Sequence, residues 1–131
     1  MASEGGKSYR DLLVWRKAIA LVPEVYTVSR GFPDAERFGL TAQLRRAAVS
    51  VPSNIAEGQG RRRPGEFQHF LHIALGSLAE VDTQLEIAFS REFASAGAVR
   101  TLQARVVEIR EMISGLQSAL ERMQEDDGGR P

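Results

Sequence analysis

The run VRTLQARVVEIREMISGLQSALERM, Val99 to Met123, places Val99, Leu102, Val106, Ile109, Ile113, Leu116, Leu120 and Met123 at alternating three- and four-residue steps. That rhythm puts every apolar side chain on one stripe of a helix and leaves Arg105, Glu108, Arg110 and Glu111 on the other faces. A helix with a single apolar stripe must bury it against others, so the rest of the chain has to supply partners.

Working backwards, Phe67, Leu71, Ala74, Leu78, Val81, Leu85 and Ala88 repeat the same steps after Pro64, which suits a first helical turn because its missing N–H costs nothing there. Ala74, Gly76 and Ser77 are small and predict a close approach by another backbone. The preceding helix carries Leu40, Leu44, Ala47, Ala48, Val51 and Ile55, with Thr41 as the expected N-cap and Gly58 and Gly60 as the expected stop. Pro52 within it frees the carbonyl of Ala48, and Ser50, Ser53 and Asn54 supply polar groups beside the distortion.

The first helix shows two apolar rows, Leu12, Trp15, Ile19, Val22, Tyr26 and Val14, Ala18, Leu21, Val25, Val28, so its apolar face is wide enough for more than one neighbour. Pro23 predicts a bend, and Gly31 and Pro33 end the helix. The reading is all-α, with helices over about 11–30, 41–58, 64–90 and 96–123 in one domain, 9–123, flanked by flexible tails at 1–8 and 124–131. Helices of ~20–25 residues span ~30–37 Å, and short connections then predict an antiparallel up-down-up-down four-helix bundle.

With 131 residues and no cysteine, disulfides, thiolate metal sites and Cys nucleophiles are excluded together, which fits a cytoplasmic protein. No apolar run approaches the ~20 residues of a spanning helix, so no membrane partner is expected. Formal net charge is zero, yet residues 1–63 hold 11 Lys+Arg against 6 Asp+Glu, and residues 64–131 hold 6 against 11. This asymmetry either survives as a two-faced surface or cancels where helices pair.

Glu66 and His69 have the Glu-x-x-His spacing of di-iron bundles, but the only other histidine, His72, lies on the same helix, so no metal or cofactor site is expected. There is no nucleophile elbow or triad spacing, and no catalytic residue is assigned. The candidate binding residues are basic. Arg45 and Arg46, with Arg61, Arg62 and Arg63, set five guanidiniums within nineteen residues, opposed by Glu57 alone. Guanidinium forks match phosphate oxygens, so these arginines either contact RNA or DNA or pair with the acidic later helices. No aromatic interleaves them, so base stacking is not expected there.

Further resemblance lies in the residues themselves: Tyr9-Arg10-Asp11-Leu12, Val14-Trp15-Arg16-Lys17-Ala18, Phe38-Gly39-Leu40-Thr41, the long block Gln43 to Gly58, and Glu66-Phe67 through Leu85. Together these resemble the bacterial four-helix-bundle family first named for proteins encoded in intervening sequences of 23S ribosomal RNA genes. The likeness runs from about Tyr9 to Ala88, and the fourth helix is matched only by its heptad pattern. It implies an antiparallel bundle, frequently a homopentameric ring, related to the accessory protein of diversity-generating retroelements, which associates with a reverse transcriptase and nucleic acid. Arg45 and Arg46 match the family's paired basic positions, and Ser50, Asn54 and Glu57 its polar positions. The last three also share one helical face by spacing, as a hydrogen-bonded strip within the protomer or against a neighbouring subunit. Arg63 departs from the family, which usually has a capping Ser there; losing such a cap costs ~1 kcal/mol, partly offset by Pro64.

The expected function is non-enzymatic: a homo-oligomer whose arginines meet RNA or DNA, as accessory to a nucleic-acid enzyme. The alternative is a structural or protein-interaction module that binds no nucleic acid.

Overall fold

The computed structural model describes residues 8–128, with side chains through Asp126. Ser8 caps a 3₁₀ turn at Tyr9–Asp11, its Oγ accepting from Arg10 N while Asp11 accepts from Ser8 N. Four α-helices follow: α1, Leu13–Ser29; α2, Leu40–Arg61; α3, Pro64–Ser90; and α4, Ala96–Gly128. No strand occurs among the described residues, so the fold is all-α. α1 packs against α2 and α4, and α3 against α2 and α4, while the backbones of the diagonal pairs, α1 with α3 and α2 with α4, stay apart. One core lies between them, built from Leu21, Val25, Leu44, Val51, Ile55, Leu71, Leu78, Leu85, Ile109 and Ile113, all essentially inaccessible.

The α4 stripe is buried from Val99 to Ile113 and again at Leu120, with Leu116 half-buried, whereas Met123 is 51% exposed. α4 nonetheless continues through Gly128, five residues beyond Met123. The expected tail at 124–131 is therefore helical in its first part, where Gln124 bonds the Gln68 side chain across to α3. Met1–Lys7 and Gly129–Pro131 lie outside the described residues.

Of the two apolar rows on α1, the core takes Val14, Ala18, Leu21 and Val25. The other row stays at the surface, with Ile19 42% exposed and Trp15, Val22 and Tyr26 half-buried. Trp15, Ile19 and Val22 face Val49, Pro52 and Ala56 of α2 across an open apolar cavity of about 440 Å³.

Three local expectations are corrected by the structure. Thr41 does not cap α2: the helix starts one residue earlier, at Leu40, whose N–H donates to Glu36 Oε1 at 3.0 Å, and Thr41 is buried. A Cβ on Gly39 would meet that carboxylate at 2.9 Å, so the cap and the glycine depend on each other. Gly58 does not stop α2, which runs on to Arg61. It is buried instead, and a Cβ there would lie 2.8 Å from Phe70 Cβ and 2.9 Å from Phe67 Cδ1, so its missing side chain lets α3 come close. Gly76 is no part of the α3 seam either: Ala74 and Ser77 are buried, but Gly76 is exposed and has nothing within 4 Å of a built Cβ.

The charge asymmetry is partly cancelled between halves. Lys17 pairs with Glu108 at 3.2 Å and Arg105 with Glu24 at 2.6 Å, joining α1 to α4. Between α3 and α4, Arg100 bonds Glu86 at 2.7 Å and Gln103 adds a second donor, which together hold the Glu86 carboxyl below the usual carboxylate range. Exposed pairs of this kind contribute little to stability because solvent screens them. No helix among the described residues is long and apolar enough to cross a membrane.

Candidate nucleic-acid interface

The five candidate arginines do not form one cluster. Arg45 and Arg46 lie near the start of α2 and Arg61 at its end, about 24 Å apart at 1.5 Å per residue. That is more than twice the ~10 Å over which salt water transmits charge at ~0.1 M, so the two groups act as separate fields. Sequence proximity had merged what a 22-residue helix keeps apart.

Arg45 is committed inside the protomer. Its Nε donates to Ser29 Oγ at 2.8 Å, an Nη group reaches Tyr26 O at 3.4 Å, and the guanidinium lies 4.5 Å from the Tyr26 ring centroid. Ser29 Oγ in turn donates to Val25 O at 2.8 Å. These bonds satisfy carbonyls at the last turn of α1, where a cation also complements the helix dipole. Arg46, one residue and ~100° further round α2, points to a different side of the helix. It is exposed, has no ion pair among the described residues, and lines a cavity against α3 with Gln43, Ser50, Glu80 and Gln84.

At the far end of α2, Arg61 is tied to Glu57 at 2.7 Å and to Glu66 at 3.9 Å, and lies over Phe70. Arg63 is 78% exposed and reaches Glu66 at 3.5 Å. Arg62, in the left-handed conformation at φ 62°, is exposed with no ion pair among the described residues. Glu57 and Glu66 thus answer much of the charge that the Arg61–Arg63 run brings.

Arg30 and Arg37 were missed from the sequence. With Arg45 they line a shallow cavity of about 250 Å³ beside the connection between α1 and α2. Both are exposed and neither has an ion pair among the described residues. Asp34 lines the same cavity, and Glu36 is occupied in capping Leu40. Phe32, also lining it, packs against Phe93 with the rings tilted by 47° and centroids 5.9 Å apart, which brings the α1–α2 and α3–α4 connections together at one end of the molecule. Seven residues separate Arg30 from Arg37 and eight separate Arg37 from Arg45, a spacing that carries no signal until the turn at Asp34–Glu36 folds the chain back.

Two of the three polar-strip residues come together, with a partner the sequence did not suggest. Asn54 Nδ2 donates to Ser50 O at 2.8 Å and Ser50 Oγ at 2.9 Å, and Ser50 Oγ meets Ser77 Oγ of α3 at 2.8 Å. Glu57 stands apart and bonds Arg61. Ser53 Oγ donates to Val49 O, so the hydroxyl and amide groups around Pro52 serve the carbonyls of Val49 and Ser50 rather than the one at Ala48.

Residues 10–115 match the family model described as "23S rRNA-intervening sequence protein". The chain belongs to this family. The match extends into α4, beyond the residues whose likeness is visible by eye. In fold, the chain is similar to the crystal structure of a protein with unknown function from the S23 ribosomal protein family of Bacteroides thetaiotaomicron. The TM-score is 0.74 at 19% identity, covering 80% of this chain and 98% of that one. No curated protein matches significantly.

Within the family's matched span, the position before α3 is held by Arg63 without a side-chain cap, and Pro64 begins the helix. The histidines of α3 serve packing and surface bonds: His69 meets the Phe70 ring edge-on at 5.2 Å, and His72 Nδ1 is 3.3 Å from Gln117 Nε2. Among the described residues, no three His, Cys, Asp or Glu side chains converge as metal ligands would.

Proposed function

We propose that this protein is a non-enzymatic, cytoplasmic helical oligomer that associates with RNA or DNA through phosphate contacts at the end where α1 meets α2. The observation that carries this reading is the pair Arg30 and Arg37, exposed and unpaired beside Arg45 around one shallow cavity. Desolvating a guanidinium against a phosphate is favoured where no protein carboxylate already holds it, which separates Arg30, Arg37 and Arg46 from Arg61 and Arg63; Arg62 has no ion pair among the described residues either, but stands in the chain between two arginines that do. Arg45 adds its charge to the field while its donors serve α1.

An antiparallel up-down-up-down arrangement is part of the proposal. It is supported by cross-helix pairs whose numbers run in opposite senses: Lys17–Glu108 with Glu24–Arg105, and Glu86–Arg100 with His72–Gln117. Assembly into a homopentameric ring is also proposed. Its support is the family resemblance and the second apolar row of α1, where Ile19 and Val49 are each about two-fifths exposed beside Trp15. Such an assembly would repeat the basic end and gain avidity from individually weak contacts. A role as accessory to a nucleic-acid enzyme follows from the same resemblance.

The test is fluorescence anisotropy with mixed RNA and DNA probes at ~50 mM salt, where phosphate contacts are strong. The wild type is expected to bind, with binding much reduced in the Arg30/Arg37/Arg46→Ala variant and largely kept in Arg61/Arg62/Arg63→Ala. Absence of binding overturns the reading; loss confined to the second variant overturns the placement of the site. The exposed apolar row of α1 also favours a protein-interaction module, and a partner that survives nuclease and high salt during purification would support that alternative.

A further inference from the structure

Phe38 is 84% exposed, more than any other large apolar residue among the described ones. The Arg37 guanidinium lies 4.8 Å from its ring centroid, so one face of the ring is covered by a cation and the other is open to solvent. The ring is not on a loose loop. Arg37 N–H donates to Asp34 O at 3.0 Å, Gly39 N–H to Glu36 O at 2.9 Å, and the next residue, Leu40, is fixed to the Glu36 carboxylate. Phe38 is therefore presented by a turn that is bonded on both sides, and the Arg37 that lies on its ring also lines the cavity shared with Arg30 and Arg45.

An aromatic face with a guanidinium behind it is a platform for another π-system, and phosphate-binding donors alongside select a π-system that carries phosphates. A base inside a duplex is already stacked on both sides and cannot use such a platform, whereas an unpaired base can. We propose that Phe38 stacks one unpaired nucleobase on its open face, with Arg30 and Arg37 holding the flanking phosphates, so that the basic end prefers single-stranded nucleic acid. This rests on the phosphate-contact reading above and adds the ligand's strandedness to it. The sequence hid the feature because Phe38 is seven residues from the nearest of the five candidate arginines.

The experiment uses the full chain and three labelled probes of about 15 nucleotides: oligothymidylate, an abasic strand with the same phosphates, and a duplex. Anisotropy is expected to show the base-bearing strand bound at least about fivefold tighter than the abasic one, as one stacked base would give. Phe38→Ala should abolish that preference, the base-bearing strand falling to the affinity of the abasic one. Phe38→Tyr should keep the preference, and Arg30/Arg37→Ala should weaken both strands alike. Equal binding of base-bearing and abasic strands by the wild type overturns the proposal, as does a preference that survives Phe38→Ala. A fall in oligomer mass by light scattering in Phe38→Ala also overturns it, because Phe38 would then be a contact between copies. If all three probes bind equally, only the stacking fails; if none binds, the phosphate-contact reading fails with it.

Discussion

Replacing Gly58 by Ala tests how α2 and α3 are held together. The new Cβ would lie 2.8 Å from Phe70 Cβ, 2.9 Å from Phe67 Cδ1 and 3.3 Å from Phe67 O. The Phe67 ring can turn, but Phe70 Cβ and the Phe67 carbonyl move only if the α3 backbone moves, so the contact is relieved by separating the helices. Overpacking of this kind costs ~1–3 kcal/mol, and an unyielding neighbour puts it in the upper half of that range. Alanine recovers ~1 kcal/mol over glycine in a helix interior, leaving a net loss of ~1–2 kcal/mol. For a chain of this size that is a fall of ~4–8 °C in Tm. Gly76→Ala and Gly115→Ala, where a Cβ meets nothing within 4 Å, supply the opposite sign: each should gain ~1 kcal/mol from helix propensity alone. Thermal unfolding followed by circular dichroism measures all three. A Gly58→Ala variant as stable as the wild type would refute the argument that this glycine sets the approach of α3.

Other outcomes follow from single contacts. Arg45→Lys keeps the charge but cannot reach Ser29 Oγ and Tyr26 O together while stacking on Tyr26, so it should lose ~1–2 kcal/mol in denaturant unfolding. Ser50→Ala strips the Ser77 hydroxyl of its partner and Asn54 of one bond, costing ~1–2 kcal/mol, and the Ser50/Ser77→Ala double variant should recover part of that loss. The Glu86 carboxyl, held low chiefly by its bond to Arg100, contributes stability that is full above the ordinary carboxylate pKa and is lost as pH falls through its lowered value. Stability should therefore drop on acidification below about pH 4, and drop less in Glu86→Gln, as Tm measured against pH would show.

The four helices were legible because their stripes are long. Val99 to Leu120 and Leu71 to Ala88 each keep one period over several turns, and the structure buries those stripes. Periodicity failed where it had two answers: α1 carries two adjacent apolar rows, and nothing in the pattern says that the core takes Val14, Ala18, Leu21 and Val25 and leaves Ile19 outside. Local signals misled where a residue type serves two purposes. Gly58 reads as a helix stop and is a packing contact; Thr41 reads as a cap and is buried beside a cap supplied by Glu36. The candidate site was least legible, because phosphate-binding residues are defined by what fails to neutralise them. In sequence the Arg61–Arg63 run is opposed by Glu57 alone, and the fold adds Glu66, which reaches both Arg61 and Arg63. Arg30 and Arg37 become neighbours only through the 3₁₀ turn at Asp34–Glu36.

Whether unpaired arginines at the α1–α2 end meet phosphates is read best from the slope of log K against log salt for a labelled single strand. Each phosphate contact contributes about 0.7 to that slope, so Arg30/Arg37→Ala should lower it by about 1.4 per engaged protomer. The wild-type slope is expected to be steep and to flatten in this variant. A slope near zero, or one that the double substitution leaves unchanged, would contradict it.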